Sequence, residues 1–203
     1  MKHLAKSLLV LLILTCAWRY GHESVRAWLA HATLAPLAAV PSSVELPAGE
    51  HYSPAEDLER LDYAAIRGAR RSLDIAMFSF TDALLAQAVR EAGRRGVRVH
   101  IYRDGEEYER EQAQARRHRS ATQALRGEAN IRIRVKPPSR DYMHLKQLLV
   151  DGRLLRTGSA NWSPSGEKRQ DNDANYSTDP SAIKRFERNF EALWNRSDNI
   201  IVQ

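Results

Sequence analysis

The stretch SLDIAMFSFTDALLAQAVREAGRRGVRVHIYRD, residues 72–104, decides the fold class. Residues 72–80 (SLDIAMFSF) form a short, mostly apolar run, as a buried strand does. Residues 82–95 read as a helix, with Thr81 as its cap and Gly96 as its stop. Residues 97–102 then alternate Val97, Val99 and Ile101 with Arg98 and His100, the two-residue period of a second strand.

The same alternation continues on either side. Upstream, Ser53-Pro54-Ala55-Glu56 has the form of a capping box with proline at the first helical position. Leu58, Leu61, Tyr63, Ala65, Ile66 and Ala69 follow as a helical apolar stripe. Downstream, the sequence predicts a long polar helix over 106–126 ended by Gly127, and a strand over 131–135 closed by Pro137-Pro138. Strands over 143–150 and 154–157 flank a turn at Asp151-Gly152. A helix over 180–195 buries Ile183, Phe186, Phe190, Leu193 and Trp194, and residues 200–202 form an edge strand. Strands separated by helices of this length imply an α/β sandwich, with a mixed, partly parallel β-sheet flanked by helices.

The N-terminus has a different character. Lys2, His3 and Lys6 precede an uncharged run over 7–18, and Thr15-Cys16-Ala17 supplies small residues for cleavage. This is the pattern of a signal peptide over 1–17, which places the protein in the periplasm or outside the cell. The alternative is an uncleaved membrane anchor, with Trp18, Arg19 and Tyr20 at the interface. Residues 18–51, rich in Ala, Pro and Ser from position 30, read as a linker, leaving 52–203 as a single domain. Cys16 is the only cysteine, so an internal disulfide and a cysteine-based zinc site are excluded. Past residue 35 the chain holds 27 basic against 24 acidic residues, +3, so net charge argues little for a polyanionic partner. The local clusters argue more: Arg67/Arg70/Arg71, Arg94/Arg95/Arg98, Arg116–Arg119 with His118, and Arg132/Arg134/Lys136/Arg140.

Chemistry concentrates in one segment. His144 and Lys146 are two apart on a predicted strand and therefore share a face. Asp151 closes that strand, and Gly158-Ser159-Ala160-Asn161 ends the next, giving H-x-K-x4-D-x6-G-S-x-N. Each residue alone has an ordinary structural explanation; the six together do not.

This constellation resembles the HKD motif of the phospholipase D superfamily, and residues 72–104 resemble that family's first strand–helix–strand. A second H-x-K is absent: His3, His22, His31, His51, His100 and His118 all lack the downstream lysine. Single-motif members of the family, small secreted bacterial endonucleases and mitochondrial cardiolipin-hydrolase-like enzymes, build one active site across a twofold dimer. The resemblance thus implies a homodimer with one His144 from each subunit and no metal or cofactor. It implies that one His144 attacks phosphorus while the other protonates the leaving oxygen. It assigns Lys146, Ser159 and Asn161 to the phosphate, lets Gly158 bring the backbone close, and gives Asp151 a supporting role at the catalytic centre. Trp162 is expected either at the mouth of the site or packed inside. One departure is visible: the acidic residue that orients the histidine in relatives is matched by Ala174, with Asp173 beside it as the possible orienting substitute.

Two substrates fit the motif, and they differ in what surrounds it. An endonuclease acting on DNA, or RNA, suits the clustered arginines. A phospholipase D acting on phospholipid head groups would need an apolar rim, for which Tyr142, Trp162 and Pro137-Pro138 are the candidates. A third reading, prompted by Ala174, is a catalytically silent nucleic-acid-binding dimer.

Overall fold

The computed structural model describes residues 48–115 and 120–202 of the chain. The expected signal with Cys16, most of the expected linker, and Arg116–Arg119 with His118 lie outside the described residues.

Strands β2 (Ser72–Met77), β3 (Arg98–Arg103) and β4 (Ile131–Val135) pair in parallel, as their helical crossovers require. On the other side of β2 come β5 (Lys146–Val150), β6 (Leu154–Gly158), β7 (Asn172–Ser177) and β1 (Gly49–Ser53), all antiparallel. Strand β8 (Ile200–Val202) closes the far edge against β4, giving the order β1-β7-β6-β5-β2-β3-β4-β8. The mixed, partly parallel sheet is as the sequence implied.

Alternation along the strands sends side chains to two cores. One face packs Leu73, Ile75, Ile101 and Leu148 beneath α1 (Leu58–Gly68) and α2 (Ala83–Arg94), which contribute Leu58, Ile66, Leu85 and Val89. The other packs Ala76, Tyr102 and Leu149 beneath α5 (Pro180–Trp194), through Ile183, Phe186 and Phe190.

Several local expectations are corrected. Ser53 ends β1 rather than capping a helix, and its hydroxyl donates to the Gln170 carbonyl at 2.8 Å. The strand therefore begins three residues inside the expected linker. Helix α1 is capped by Asp57, whose carboxylate accepts from Arg60 N. Glu56 instead accepts from Tyr52 N, so the box closes one residue early and around a turn. Asp82, not Thr81, caps α2 by accepting from Leu85 N at 2.9 Å. The expected long helix stops after α3 (Gly105–Gln114), and a 3-10 turn at Gln123–Leu125 precedes β4. Strand β5 begins at Lys146, so His144 lies just before it. Helix α4 (Pro164–Lys168), capped by Ser163, and strand β7 were not anticipated.

Candidate active site

The C-terminal end of β2 and the N-terminal end of β5 meet because the two strands are antiparallel, with Met77 paired to Lys146. Just beyond, Phe78 N donates to the Leu145 carbonyl at 2.8 Å, extending the ladder to His144. Phe78 is the floor on which the two motif residues meet. Its ring lies 4.6 Å from the His144 ring, and the Lys146 ammonium sits 4.9 Å from its centroid. Lys146 Nζ also donates to the His144 carbonyl at 2.9 Å. His144 and Lys146 thus come together as expected, although one precedes the strand.

Their environments differ sharply. Lys146 is only 5 % exposed, and burial, followed by the Arg156 guanidinium, brings its ammonium down to about 8. His144 is exposed, and its imidazolium is disfavoured by burial of part of the ring and then by Lys146, against an opposing pull from Asp104. A neutral imidazole beside a fixed cation is the arrangement a nitrogen nucleophile needs. Among the described residues no side chain hydrogen-bonds the His144 ring.

Two buried arginines hold the surrounding backbone. Arg156 is fully buried and donates from Nη1 to the carbonyls of Lys146 and Ala160, both at 3.1 Å. This ties the start of β5 to the loop after β6. Its Nη2 lies 3.1 Å from Asp62 and 3.4 Å from Glu167. Asp62 also accepts from Trp162 Nε1 and from the Tyr176 hydroxyl, both at 2.7 Å. Trp162 is therefore a packed residue, edge-on to Phe80, and does not line the site. Burial, with Asp62 nearby, pushes the Glu167 carboxyl up to about 9, so it is held neutral. Arg103, also fully buried, donates to the carbonyls of Met77 and Phe78 and to Glu111 at 2.8 Å, fixing the loop that carries Phe78.

Asp104 plays a similar part on the other side. It caps α3 through Glu107 N and accepts from Met143 N at 2.8 Å, anchoring the residue before His144. Phe78, Arg103, Asp104 and Arg156 were all invisible as site residues in the sequence. Each reads locally as a strand residue or a cap, and only the tertiary contacts reveal its role.

The G-S-x-N segment arrives at the same end of the sheet. Gly158 has φ +148°, and a Cβ there would lie 2.3 Å from the Asp173 carbonyl oxygen, so no other residue fits. Asn161 accepts from Ser79 N through Oδ1 at 3.2 Å, which fixes the amide and leaves its NH2 group without a partner among the described residues. Ser159 is exposed, and its hydroxyl donates to Asp173 Oδ1 at 2.5 Å. Asp173 thus engages Ser159 and not His144, while Ala174 is buried in the core opposite Gly158.

Asp151 is elsewhere. It lies at the opposite end of β5, where its carboxylate accepts from the backbone N–H of Arg70, Arg71 and Ser72 at 2.7–3.2 Å. Beside His144 opens a cleft of about 400 Å³ lined by Phe78, Glu106, Glu107, Arg110, Tyr142 and His144.

Residues 63–194 match the family model described as cardiolipin synthase, PLD-like domain. The mitochondrial cardiolipin hydrolases of Chlamydomonas reinhardtii and Xenopus laevis are 31 % and 32 % identical over 134 and 131 residues. Those matches take in 66 % and 64 % of this chain but only 55 % and 58 % of the relatives, so the chain spans little more than half their length. Among solved structures, NucT from Helicobacter pylori superposes with a TM-score of 0.65 at 21 % identity, covering 75 % of this chain and 96 % of that one. Nuc from Salmonella typhimurium, described as a phospholipase D family member, gives 0.61 at 25 % identity, covering 76 % and 96 %.

Proposed function

The chain belongs to the phospholipase D-like domain family, and from that premise we propose that it is a phosphodiesterase cutting nucleic acid through a phosphohistidine. One observation carries the proposal: the His144 ring and the buried Lys146 ammonium both lie against the ring of Phe78.

In this reading two copies meet around one phosphorus atom. A ring nitrogen of one neutral His144 attacks phosphorus, the P–O bond to the leaving group breaks, and the His144 of the second copy, which enters the step as the imidazolium, gives that oxygen its proton and becomes neutral. The second His144 then takes a proton from water. The resulting oxygen nucleophile attacks phosphorus, and the P–N bond breaks to release the phosphate product and regenerate the first ring. The Lys146 ammonium and the Asn161 NH2 group face the charge that grows on the non-bridging oxygens. Asp151, at the far end of β5, serves the fold instead of the reacting atoms.

The lining of the cleft argues against a lipid, and the clustered arginines of the sequence favour nucleic acid. Glu106, Glu107 and Arg110 border His144, and acyl chains have no apolar wall there beyond Phe78 and Tyr142. The second reading, a phospholipid substrate, is supported by the names of the cardiolipin hydrolases that match.

The test is the purified protein, with chelator present, against plasmid DNA, single-stranded RNA and cardiolipin or phosphatidylcholine vesicles side by side. Nucleic-acid cleavage is expected to fall about 10²- to 10⁴-fold in His144→Asn and steeply with added salt. Light scattering is expected to give a dimer. Undiminished cleavage by His144→Asn, or full activity from a strict monomer, would overturn the mechanism; lipid release without nucleic-acid cleavage would decide for the second reading.

A further inference from the structure

The family resemblance assigns Ser159 to the phosphate, yet in the folded chain the donors of Ser159 are already taken. Asp173 Oδ1 accepts from the Ser159 hydroxyl at 2.5 Å and from Ser159 N at 3.1 Å. The pairing is reciprocal, since Asp173 N donates to Ser159 Oγ at 3.0 Å and the Asp173 carbonyl accepts from Ser159 N at 3.1 Å and Ala160 N at 3.3 Å. The backbone half of this contact continues the β6–β7 ladder and is indifferent to the side chain at 173. The carboxylate half is not. It occupies the Ser159 donors that an anion bound there would need.

We propose that Asp173 is an internal competitor for phosphate and a specificity-determining residue of the site. Its carboxylate satisfies the Ser159 donors in the free protein and must be displaced before an anion can use them. A phosphodiester carries one delocalised charge and meets one repulsion. A phosphomonoester or inorganic phosphate carries nearly two at neutral pH and meets more. The device therefore weakens the hold on hydrolysed product more than on substrate, which favours release. Ala174 faces the buried core, and a one-residue step along a strand reverses the face, so the Asp173 side chain leaves the core and meets Ser159. This inference rests on the phosphodiesterase reading only for its consequence, because the competition itself can be measured without turnover.

The experiment is calorimetric titration of inorganic phosphate into wild type, Asp173→Asn, Asp173→Ala, Ser159→Ala and the double variant Ser159→Ala/Asp173→Asn. Asp173→Asn preserves shape, and Asp173→Ala is the second route to losing the charge. Both are expected to bind phosphate about tenfold more tightly than wild type, the scale of one charge-assisted hydrogen bond. The gain should vanish when Ser159 is also Ala. Glu50→Gln, on the neighbouring strand β1, removes an acid with no bond to Ser159 and should change affinity less than twofold. With bis(4-nitrophenyl) phosphate as substrate, KM should fall less than the phosphate inhibition constant does. Phosphate affinity within twofold of wild type in both Asp173 variants, no measurable binding by any variant, or a gain that survives loss of the Ser159 hydroxyl would overturn the proposal. Failure of the catalytic reading would instead appear as activity retained by His144→Asn, with the phosphate series unaffected.

Discussion

Replacing Arg156 by Leu and, separately, Glu167 by Gln should have opposite consequences, although the two residues touch. Arg156 is fully buried and makes four polar contacts: two carbonyls at 3.1 Å, Asp62 at 3.1 Å and Glu167 at 3.4 Å. Leucine at that position leaves Asp62 as a buried anion without its cation, and breaking a buried pair in this way costs about 3–5 kcal/mol. The two orphaned carbonyls belong to Lys146 and Ala160, so the loss falls on the active-site backbone. Glu167 is different because it is held up near 9 and is neutral in the fold at pH 8. The unfolded chain, by contrast, releases that proton above roughly pH 4.3. Folding therefore takes up a proton at Glu167, and its contribution to stability falls as pH rises from roughly 4.3 toward 9. Glutamine mimics the neutral acid and abolishes that slope. Urea unfolding followed by tryptophan fluorescence, with Trp162 inside the cluster, reads both variants. Arg156→Leu is expected to lose about 3–5 kcal/mol, or about 10 °C in Tm, while Glu167→Gln at pH 8 unfolds no earlier than wild type. Equal losses in the two variants would mean that Glu167 is ionised and that this charge assignment is wrong; a loss below about 1 kcal/mol for Arg156→Leu would remove Arg156 as the tie between β5 and the loop after β6.

Asp151→Ala should cost about 3 kcal/mol by thermal unfolding while leaving kcat unchanged below the transition, because its carboxylate serves three backbone N–H groups far from His144 and its φ of +54° suits Asp or Asn. Burial alone would raise this carboxyl, but the N–H donors of Ser72, Arg71 and Arg70 outweigh it and hold it below its usual value, so the stability it adds is present above roughly pH 4 and lost in more acidic solution. A kcat loss matching that of His144→Asn would instead return Asp151 to the reacting centre. Lys146, held near 8 in the fold against roughly 10.4 unfolded, binds fewer protons folded than unfolded between those values, so wild-type stability should rise with pH across that window by about 1–2 kcal/mol after allowance for solvent screening. Lys146→Met should lack the rise in pH-dependent urea titrations, and the same slope in both proteins would rule out a depressed ammonium. In wild type, KM for the diester should climb as the pH passes 8 and the phosphate loses its cation.

The strands were legible in the sequence where apolar residues either alternated or ran unbroken. Strand β4 was predicted at its observed limits, and β2, β3 and β6 to within a few residues. Strand β7 was not, because NDANYS offers only Ala174 and Tyr176 to its buried face, and a two-member alternation among polar residues carries little signal. The cap errors have one cause. Thr81-Asp82 and Ser53-Pro54-Ala55-Glu56-Asp57 each hold more than one competent oxygen, and the choice fell to the residue whose approach angle the tertiary fold allowed. Residues 106–126 contain no glycine or proline, so nothing local announced that the helix would end after Gln114. In the site, His144, Lys146, Gly158, Ser159 and Asn161 were readable because together they resemble the motif of a known family, and two adjacent strands bring that motif to one end of the sheet. Arg103 and Arg156 were not: an arginine in a strand reads as a solvent-facing residue until a helix carboxylate packs on it, Glu111 from the next helix for Arg103 and Asp62, far away in the sequence, for Arg156.

The arrangement of rigidity within the site bears on what a second copy must do. Lys146 is held by burial, by Phe78, and through its carbonyl by Arg156. Asn161 is held by Ser79, and the Phe78 loop by Arg103. Every group that would meet phosphate charge is thus braced within a single chain, which is where preorganisation contributes most to lowering a barrier of this kind. The imidazole alone is not braced: its ring is exposed, touches Phe78 at a tilted 56°, and has no hydrogen-bond acceptor among the described residues to fix its tautomer. A nucleophile free to rotate is a poor one, because effective concentration depends on the reacting atoms being held in line. With Ala174 withdrawn into the core and Asp173 committed to Ser159, no carboxylate on β7 within this chain supplies that restraint. In the proposed dimer the restraint comes from the substrate phosphate itself, gripped by two braced lysines, with the His144 of each copy confined by the other across it. In that reading each copy brings its charged groups already braced, whereas its imidazole is held only on assembly around the anion.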